Sequence, residues 1–321
     1  MARVYRRQRL LRLVSMSKVA IVGAGLVGAT TAHTLALRGS CEEIVLLDVD
    51  RDKAQAQAAD VAAAATLDRG VRVYSGSYAQ VKGAGVVVLA AGLRQKGGLS
   101  RAELISSNTL IYREAIPQVL EAAPGAVLLV ATQPVDSMTE YVYRLLEGRD
   151  VSRVLGVGTV LETMQLRAAV AAHLGVSPEH VNGYVVGEEG DSALVVWSNL
   201  NVAGLPITEF AAQRGVPWTA RDQSAITDRV QRSNRRVVEG KGAISYGVGA
   251  AIARVVEAIL YGANVVLTVS SRNAEFGVAL SLPCIVGASG VVETLDLPYS
   301  REERFKLEVL CNSLRNTLEH I

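Results

Sequence analysis

The sequence predicts an α/β protein in which a parallel sheet is wound on both faces by helices and is followed by a second domain of α+β type. Three observations carry that expectation. Apolar runs of strand length alternate with segments of helical period from Lys18 onward, the pattern of a parallel sheet covered by helices. A glycine-rich turn, Gly23-Ala24-Gly25-Leu26-Val27-Gly28, lies between the first such strand and the first such helix. After about Gly156 the rhythm changes, and strands and helices no longer alternate one for one. A chain of 321 residues, half of them hydrophobic, is long enough for two compact cores.

In chain order, strands are expected at 18–22, 43–48, 71–74, 86–91 and 127–131, with helices between them at 26–37, 50–67, 101–122 and 135–146. The second half reads as a helix at 159–174, a hairpin-like pair around 181–186 and 192–199, and long helices near 220–240 and 247–260. Strands at 264–270, 278–282 and 290–295 follow, and an amphipathic helix at 301–320 ends the chain. The expected division is a basic leader over 1–16, a dinucleotide-binding domain over 17–156 and a substrate domain over 157–321. No linker separates the two domains, so a tight interface is expected between them.

The leader carries Arg3, Arg6, Arg7, Arg9 and Arg12 with no acidic residue, and without those five the net charge of +2 becomes −3. It reads as a disordered extension, or as a start placed upstream of Met16. A mildly acidic body offers no electrostatic footprint for nucleic acid. No run approaches the roughly 18 apolar residues of a membrane span. Cys41, Cys284 and Cys311 lie far apart, which fits neither a disulfide framework nor a thiolate metal site, so a cytoplasmic protein without a metal is expected. Only four histidines are present, His33, His173, His180 and His320. A histidine acid/base would have to be one of them.

The glycine turn has the strand–turn–helix setting of a pyrophosphate site. Gly23 permits the tight turn, Gly25 lets backbone approach phosphate, and Gly28 lets helix and strand pack closely. The second strand ends at Asp48, twenty residues beyond Gly28, where a carboxylate can accept from ribose hydroxyls and repel a 2′-phosphate. The combination predicts a dinucleotide site for NAD in preference to NADP, with Leu26, Val27, Ala91, Gly92, Ala131 and Gln133 completing it.

Five further segments fall in register with the lactate/malate dehydrogenase family, which the chain resembles from residue 17 to its end. Ala91-Gly92-Leu93-Arg94-Gln95-Lys96-Gly97-Gly98-Leu99-Ser100-Arg101 resembles that family's mobile active-site loop, and Ala131-Thr132-Gln133-Pro134-Val135-Asp136 its cofactor and substrate turn. Gly158-Thr159-Val160-Leu161-Glu162-Thr163 is similar to its catalytic helix, Val186-Gly187-Glu188-Glu189-Gly190-Asp191 to its catalytic loop, and Lys241-Gly242-Ala243-Ile244-Ser245-Tyr246-Gly247 to its pocket wall. The resemblance implies a Rossmann domain, a small-molecule substrate, hydride transfer with NAD, and a homodimer or homotetramer.

It also implies a histidine acid/base, an aspartate that orients it, an arginine that clamps the substrate carboxylate and a loop arginine that polarises the carbonyl. Arg101 keeps the last of these, and Gln95 stands at the specificity position, where glutamine goes with lactate-type substrates. The others differ: Glu189 stands at the histidine position, Glu162 at the aspartate, Gln165 at the clamping arginine, Gln133 at an asparagine and Ile244 at a small pocket residue. Glu162 and Gln165 are three apart and share a helix face. Losing the bidentate arginine removes the main attraction for a carboxylate. From this exchange of cations for anions we expect a substrate that is cationic or uncharged, with pyruvate, lactate, oxaloacetate and malate poorly used. Reduction of an imine or oxidation of an amine is the expected chemistry, with Glu162 and Glu189 as a proton-sharing pair, or Arg101 paired with Glu189 on closure. The alternatives are an NAD-binding protein without activity and a 2-hydroxy-acid or alcohol dehydrogenase.

Overall fold

The computed structural model describes residues 17–67, 70–93, 100–146 and 152–318. The basic leader, most of the loop that carries Gln95, and His320 lie outside the described residues. In chain order the elements are β1 (Lys18–Val22), α1 (Leu26–Arg38), β2 (Glu43–Leu47), α2 (Arg51–Thr66), β3 (Arg72–Ser75), β4 (Ala84–Leu89), α3 (Arg101–Ala122), β5 (Val127–Val130), α4 (Val135–Leu145) and β6 (Val154–Gly156). Then come α5 (Val160–Leu174), β7 (Val181–Asn182), β8 (Val185–Val186), β9 (Leu194–Val195), β10 (Asn201–Val202), β11 (Leu205–Pro206), α6 (Ile207–Arg214), α7 (Ala220–Gln231) and α8 (Ser233–Lys241). The chain continues with α9 (Tyr246–Leu260), β12 (Val265–Asn273), β13 (Val278–Gly287), β14 (Gly290–Thr294) and α10 (Arg301–Leu318).

One sheet of nine strands runs in the order β14-β13-β12-β6-β5-β4-β1-β2-β3. Strands β3 to β6 are parallel, in the 3-2-1-4-5-6 order of a doubly wound dinucleotide fold. Their centres, such as Val19–Val22 and Val86–Leu89, are buried, as strands covered on both faces require. Two hydrophobic clusters cover the sheet, and a third lies beneath α5 and α7. The second half does not form a wholly separate sheet: β12 joins β6 through a single antiparallel pair, Ser270 to Gly156, and β13 and β14 add to its outer side.

Local sequence accounts for the helix starts. Asp50 accepts from the Lys53 amide to begin α2, and Ser100 with Glu103 forms a reciprocal capping box at α3. Several expectations change in detail. The helix expected over 220–240 is two helices that break at Arg232, whose backbone (φ −91°, ψ 1°) leaves the α-helical range. Helix α6 and the three-residue β6 were not expected, being too short for a periodic signal. The anticipated hairpin is split: β8 pairs with β9, whereas β7 pairs with β10.

The chain enters α5 through Gly158, at φ +55°. A Cβ there would fall 2.6 Å from Ser281 Oγ and 2.7 Å from both the Ser270 nitrogen and the Thr268 oxygen. Only glycine fits this crossing of α5 over β12 and β13. Gly158→Ala is therefore expected to destabilise the fold by about 2–4 kcal/mol in urea unfolding. A midpoint equal to that of the wild type would show that the crossing relaxes freely.

Candidate active site

The first turn is built for an anion and a ribose. Gly23 has φ +107°, and a Cβ on it would meet the Ala91 nitrogen at 2.4 Å, so the turn lies against the loop after β4. A Cβ on Gly28 would lie 1.9 Å from the Gly23 carbonyl oxygen. Gly25 is the N-cap of α1 and supplies no side-chain cap, so the helix dipole and the first amides face an open space where a Cβ meets nothing within 4 Å. Leu26 is exposed at the rim, and Val27 is half-buried against the core.

Asp48 stands beside this turn. Its Oδ2 accepts from the Ala24 amide at 2.8 Å and from Lys53 Nζ at 3.0 Å, and its Oδ1 from the Asp50 amide at 3.1 Å. Burial works against the charge, but Lys53 and the two amides outweigh it and hold the carboxyl below its usual range. Lys53 was not anticipated; its place on the first turn of α2, five residues beyond Asp48, was the available signal. The residues present thus fit a dinucleotide: an open helix N-terminus for the pyrophosphate and an ionised carboxylate for the ribose.

The loops after β4 and β5 are stapled together. Asn108 accepts from the Leu93 amide at 2.7 Å and donates to the Gln133 carbonyl at 2.9 Å. Thr132 donates to the Ala91 carbonyl at 2.7 Å, and a Cβ on Gly92 would strike Thr132 Cγ2 at 2.4 Å. Ala91, Gly92, Ala131 and Gln133 are therefore held as one rim, fixed by two residues the sequence did not single out.

Beyond the rim, acidic side chains converge. Gln133 Nε2 donates to Glu189 Oε1 at 3.0 Å, and Asn234 Nδ2, from α8, reaches Glu162 Oε1 at 2.9 Å and Glu189 Oε1 at 3.5 Å. Asp136 is fully buried; it accepts from the Glu189 amide at 3.1 Å and from Ser281 Oγ at 2.9 Å. The loop that carries Glu188 and Glu189 is held to the sheet by a two-bond bridge between Gly187 and Ser281, each bond 2.8 Å. Glu162 is 1% exposed, and burial, with Asp136 adding to it, pushes its carboxyl up to about 7 against the opposing hydrogen bonds. Burial, then Glu162, then Asp136, raises Glu189 well above the usual carboxylate range, with Gln133 and Arg101 opposing. The two groups titrate as a pair.

The structure thus brings Glu189, Glu162 and Gln133 together, and Asn234, unforeseen, joins them. Arg101 forms its ion pair with Glu188, not with Glu189 as anticipated on closure; Glu188 is buried at the root of the loop, within reach of the start of α3. Gln165 follows Glu162 by one turn, half-buried, with its Oε1 enclosed and without a hydrogen-bond partner. Ile244 packs on the main hydrophobic cluster. None of the described histidines is here: His33 lies on α1, His173 hydrogen-bonds the Pro217 carbonyl at 2.8 Å, and His180 pairs with Glu179. A cavity of about 860 Å³ opens behind the loop, between Glu188, Trp197, Gln231, Glu303 and Leu310.

Comparison with known proteins decides the family. Residues 17–156 match the lactate/malate dehydrogenase NAD binding domain and residues 159–321 the lactate/malate dehydrogenase alpha/beta C-terminal domain. The chain belongs to the lactate/malate dehydrogenase family. It is 45% identical over 298 residues to an L-lactate dehydrogenase of Deinococcus radiodurans, covering 93% of this chain and 97% of that one. An L-lactate dehydrogenase of Thermus aquaticus is 46% identical over 291 residues, covering 89% and 94%. The crystal structure of the minor L-lactate dehydrogenase of Enterococcus mundtii, with bound ligands, superposes with a TM-score of 0.89 at 33% identity, covering 95% and 98%. A lactate dehydrogenase from a deep-sea metagenome gives 0.89 at 32%, covering 94% and 98%.

These findings correct the expected chemistry. The expectation of an enzyme other than a lactate or malate dehydrogenase, working on an imine, an amine or another cationic or uncharged substrate, and the alternative of a protein without activity, are overturned by L-lactate dehydrogenases matching at 44–46% identity over nearly the whole chain. That expectation gave five substituted side chains more weight than the framework of some three hundred residues that shapes the pocket around them. The cofactor is NAD, and the glycine turn and Asp48 belong to the family's NAD binding domain. Among the described residues, no helix is long and apolar enough to cross a membrane.

Asp48→Asn keeps the shape but loses the charge that ribose hydroxyls favour. NADH affinity, followed by nucleotide fluorescence, is expected to fall about 10–100-fold. An unchanged dissociation constant would remove Asp48 from the cofactor site.

Proposed function

We propose that the protein is an NAD-dependent L-lactate dehydrogenase that interconverts pyruvate and L-lactate, with the Glu162–Glu189 pair carrying the proton. The observation that carries this reading is the near-full-length similarity to L-lactate dehydrogenases. Gln95, at a position where the family resemblance associates glutamine with lactate-type substrates, supports it from the sequence.

The nicotinamide, when bound, supplies the hydride that reaches the carbonyl carbon of pyruvate. Reduction then needs one proton on the carbonyl oxygen, which we assign to the acid pair; in lactate oxidation the pair takes that proton back. An acid/base works best with a proton affinity near the working pH, and the burial that lifts Glu162 to about 7 provides this. Arg101, which senses the charges of Asp136 and Glu189, is the cation offered to the substrate, so substrate competes with Glu188 for it. Gln165 and Gln133 contribute amides at the positions where the resemblance implies an arginine and an asparagine, and Ile244 contributes apolar surface to the wall. Ala91, Gly92 and Ala131 shape the nicotinamide end of the cofactor site.

The division near residue 156 into a cofactor and a substrate domain is part of this reading, as are a cytoplasmic location and a homodimeric or homotetrameric assembly. The alanine-rich α2, with only Ala54, Ala58, Val61 and Ala65 buried, leaves one face for such an interface.

The direct test is NADH oxidation with pyruvate against the same assay without it; no pyruvate-dependent turnover overturns the reading. Glu189→Gln is expected to lower kcat about 100-fold or more with little change in NADH binding. Because the folded-state proton affinity of the pair is raised, the protonated form persists up to about pH 7. Pyruvate reduction should therefore hold below that pH and fall as pH rises through it, while lactate oxidation rises. A reduction rate flat across this range would remove the pair from the proton step.

A further inference from the structure

Two enclosed oxygens beside the acid pair have no hydrogen-bond partner, Oε2 of Glu162 and Oε1 of Gln165. Both are acceptors, and they belong to residues three apart on α5, whose side chains share one face with Cβ atoms about 5–6 Å apart. A buried acceptor left without a donor costs about 1–3 kcal/mol, so two on one helix face are a double deficit. One hydrogen between them removes both.

The neighbouring donors are committed elsewhere. Asn234 Nδ2 gives to Glu162 Oε1 and reaches Glu189 Oε1, while Gln133 Nε2 gives to Glu189 Oε1. The groups facing Glu162 are Glu189 from the loop after β8, Asp136 from α4 and the neutral Asn234 from α8. Arg101, from α3, is ion-paired with Glu188, and among the described residues no cation lies within ion-pair distance of Glu162.

We propose that Glu162 holds the proton of the pair on Oε2 and donates it to Oε1 of Gln165, which makes Gln165 a positioning residue for the acid, and leaves Glu189 as the charged member. This rests on the reading of Glu162 and Glu189 as the proton-transfer pair. The asymmetry of the surroundings supports the assignment. Burial and neighbouring carboxylates raise both groups, but Glu189 Oε1 receives Gln133 Nε2 at 3.0 Å and a longer contact from Asn234 Nδ2 at 3.5 Å, donors that favour its ionised form, whereas Glu162 is 1% exposed and receives Asn234 alone. In pyruvate reduction the one proton of the pair passes from Glu162 to the Glu189 carboxylate, which hands it on to the carbonyl oxygen; both carboxyls are then ionised until solvent restores the proton. At the position where the family resemblance implies a clamp for the substrate, this chain has an acceptor that stores the acid.

Infrared spectroscopy of the full chain with NAD bound, its glutamates labelled with 13C at the carboxyl, tests this without reference to turnover. At about pH 6, below the raised proton affinity of the pair, the wild type should show a protonated-carboxyl stretch. E162Q should lose it. Q165M, which leaves the acid in place but removes its acceptor, should move the band to higher frequency and lower its titration midpoint by about one pH unit. Q165M alone suffices should E162Q fail to fold. The proposal is overturned by a wild type without the band, meaning Gln165 presents its amide N–H to an ionised Glu162; by a band that persists in E162Q; or by a band unmoved in Q165M. Pyruvate turnover is scored separately: the band without turnover keeps the proton assignment and removes the dehydrogenase reading, and turnover without the band does the reverse.

Discussion

Burial of carboxyl groups close together, with too few cations to neutralise them, is the constraint around which this site is organised. Asp136 is fully buried, Glu162 is nearly so, and Glu189 bridges them through its own amide and through Asn234. Two like charges about 4 Å apart repel by about 4 kcal/mol even at an effective dielectric constant of 20. The enclosure relieves this with protons and neutral donors rather than with ion pairs. Ser281, Gln133 and Asn234 each point a hydrogen at a carboxylate, and the proton affinities of all three acids rise.

That arrangement depends on the antiparallel part of the sheet. Asp136 comes from the start of α4, directly after the parallel strand β5, whereas Ser281 comes from β13. The Gly187 to Ser281 bridge then fixes the loop that carries Glu189 against the same strand. Side chains from both halves of the chain thus hold one carboxylate, and the Ser270 to Gly156 junction sets their register. The close crossing at Gly158 is the backbone counterpart of this coupling, since α5 can deliver Glu162 to the cluster only by passing tightly over β12 and β13.

The cofactor half was legible because backbone geometry dictates it. A tight turn, an open helix start and a carboxylate twenty residues on leave few alternatives for Gly23, Gly25, Gly28 and Asp48, and five collinear motifs carried the family. Asn234 was not legible. It sits among arginines in a stretch that reads as one continuous helix, and only the break at Arg232 turns it toward Glu162. The partner of Arg101 was missed because Glu188 and Glu189 are adjacent in sequence and opposite in role. The substrate was misread for a physical reason too: charge reversal at named positions was taken as the charge of the pocket, although burial changes the ionisation of the very groups being counted.

The anionic substrate of the proposed function fits an acidic enclosure only if the formal charge of that enclosure overstates its real one. Each proton retained by the cluster removes one repulsion with the incoming carboxylate, and a neutral carboxyl also becomes a donor. In the proposed function Arg101 supplies the remaining attraction, and because it is ion-paired with Glu188, substrate would bind by an exchange of one carboxylate for another at the same guanidinium. Such an exchange nearly cancels in Coulomb energy and leaves hydrogen-bond geometry to decide the balance. The loop that begins at Ala91 and ends at Arg101 is anchored at its first end by Asn108 and Thr132 and at its last by the Ser100–Glu103 cap. Arg101 is the first residue of α3, so its swing between Glu188 and a substrate is a side-chain motion about a fixed helix start.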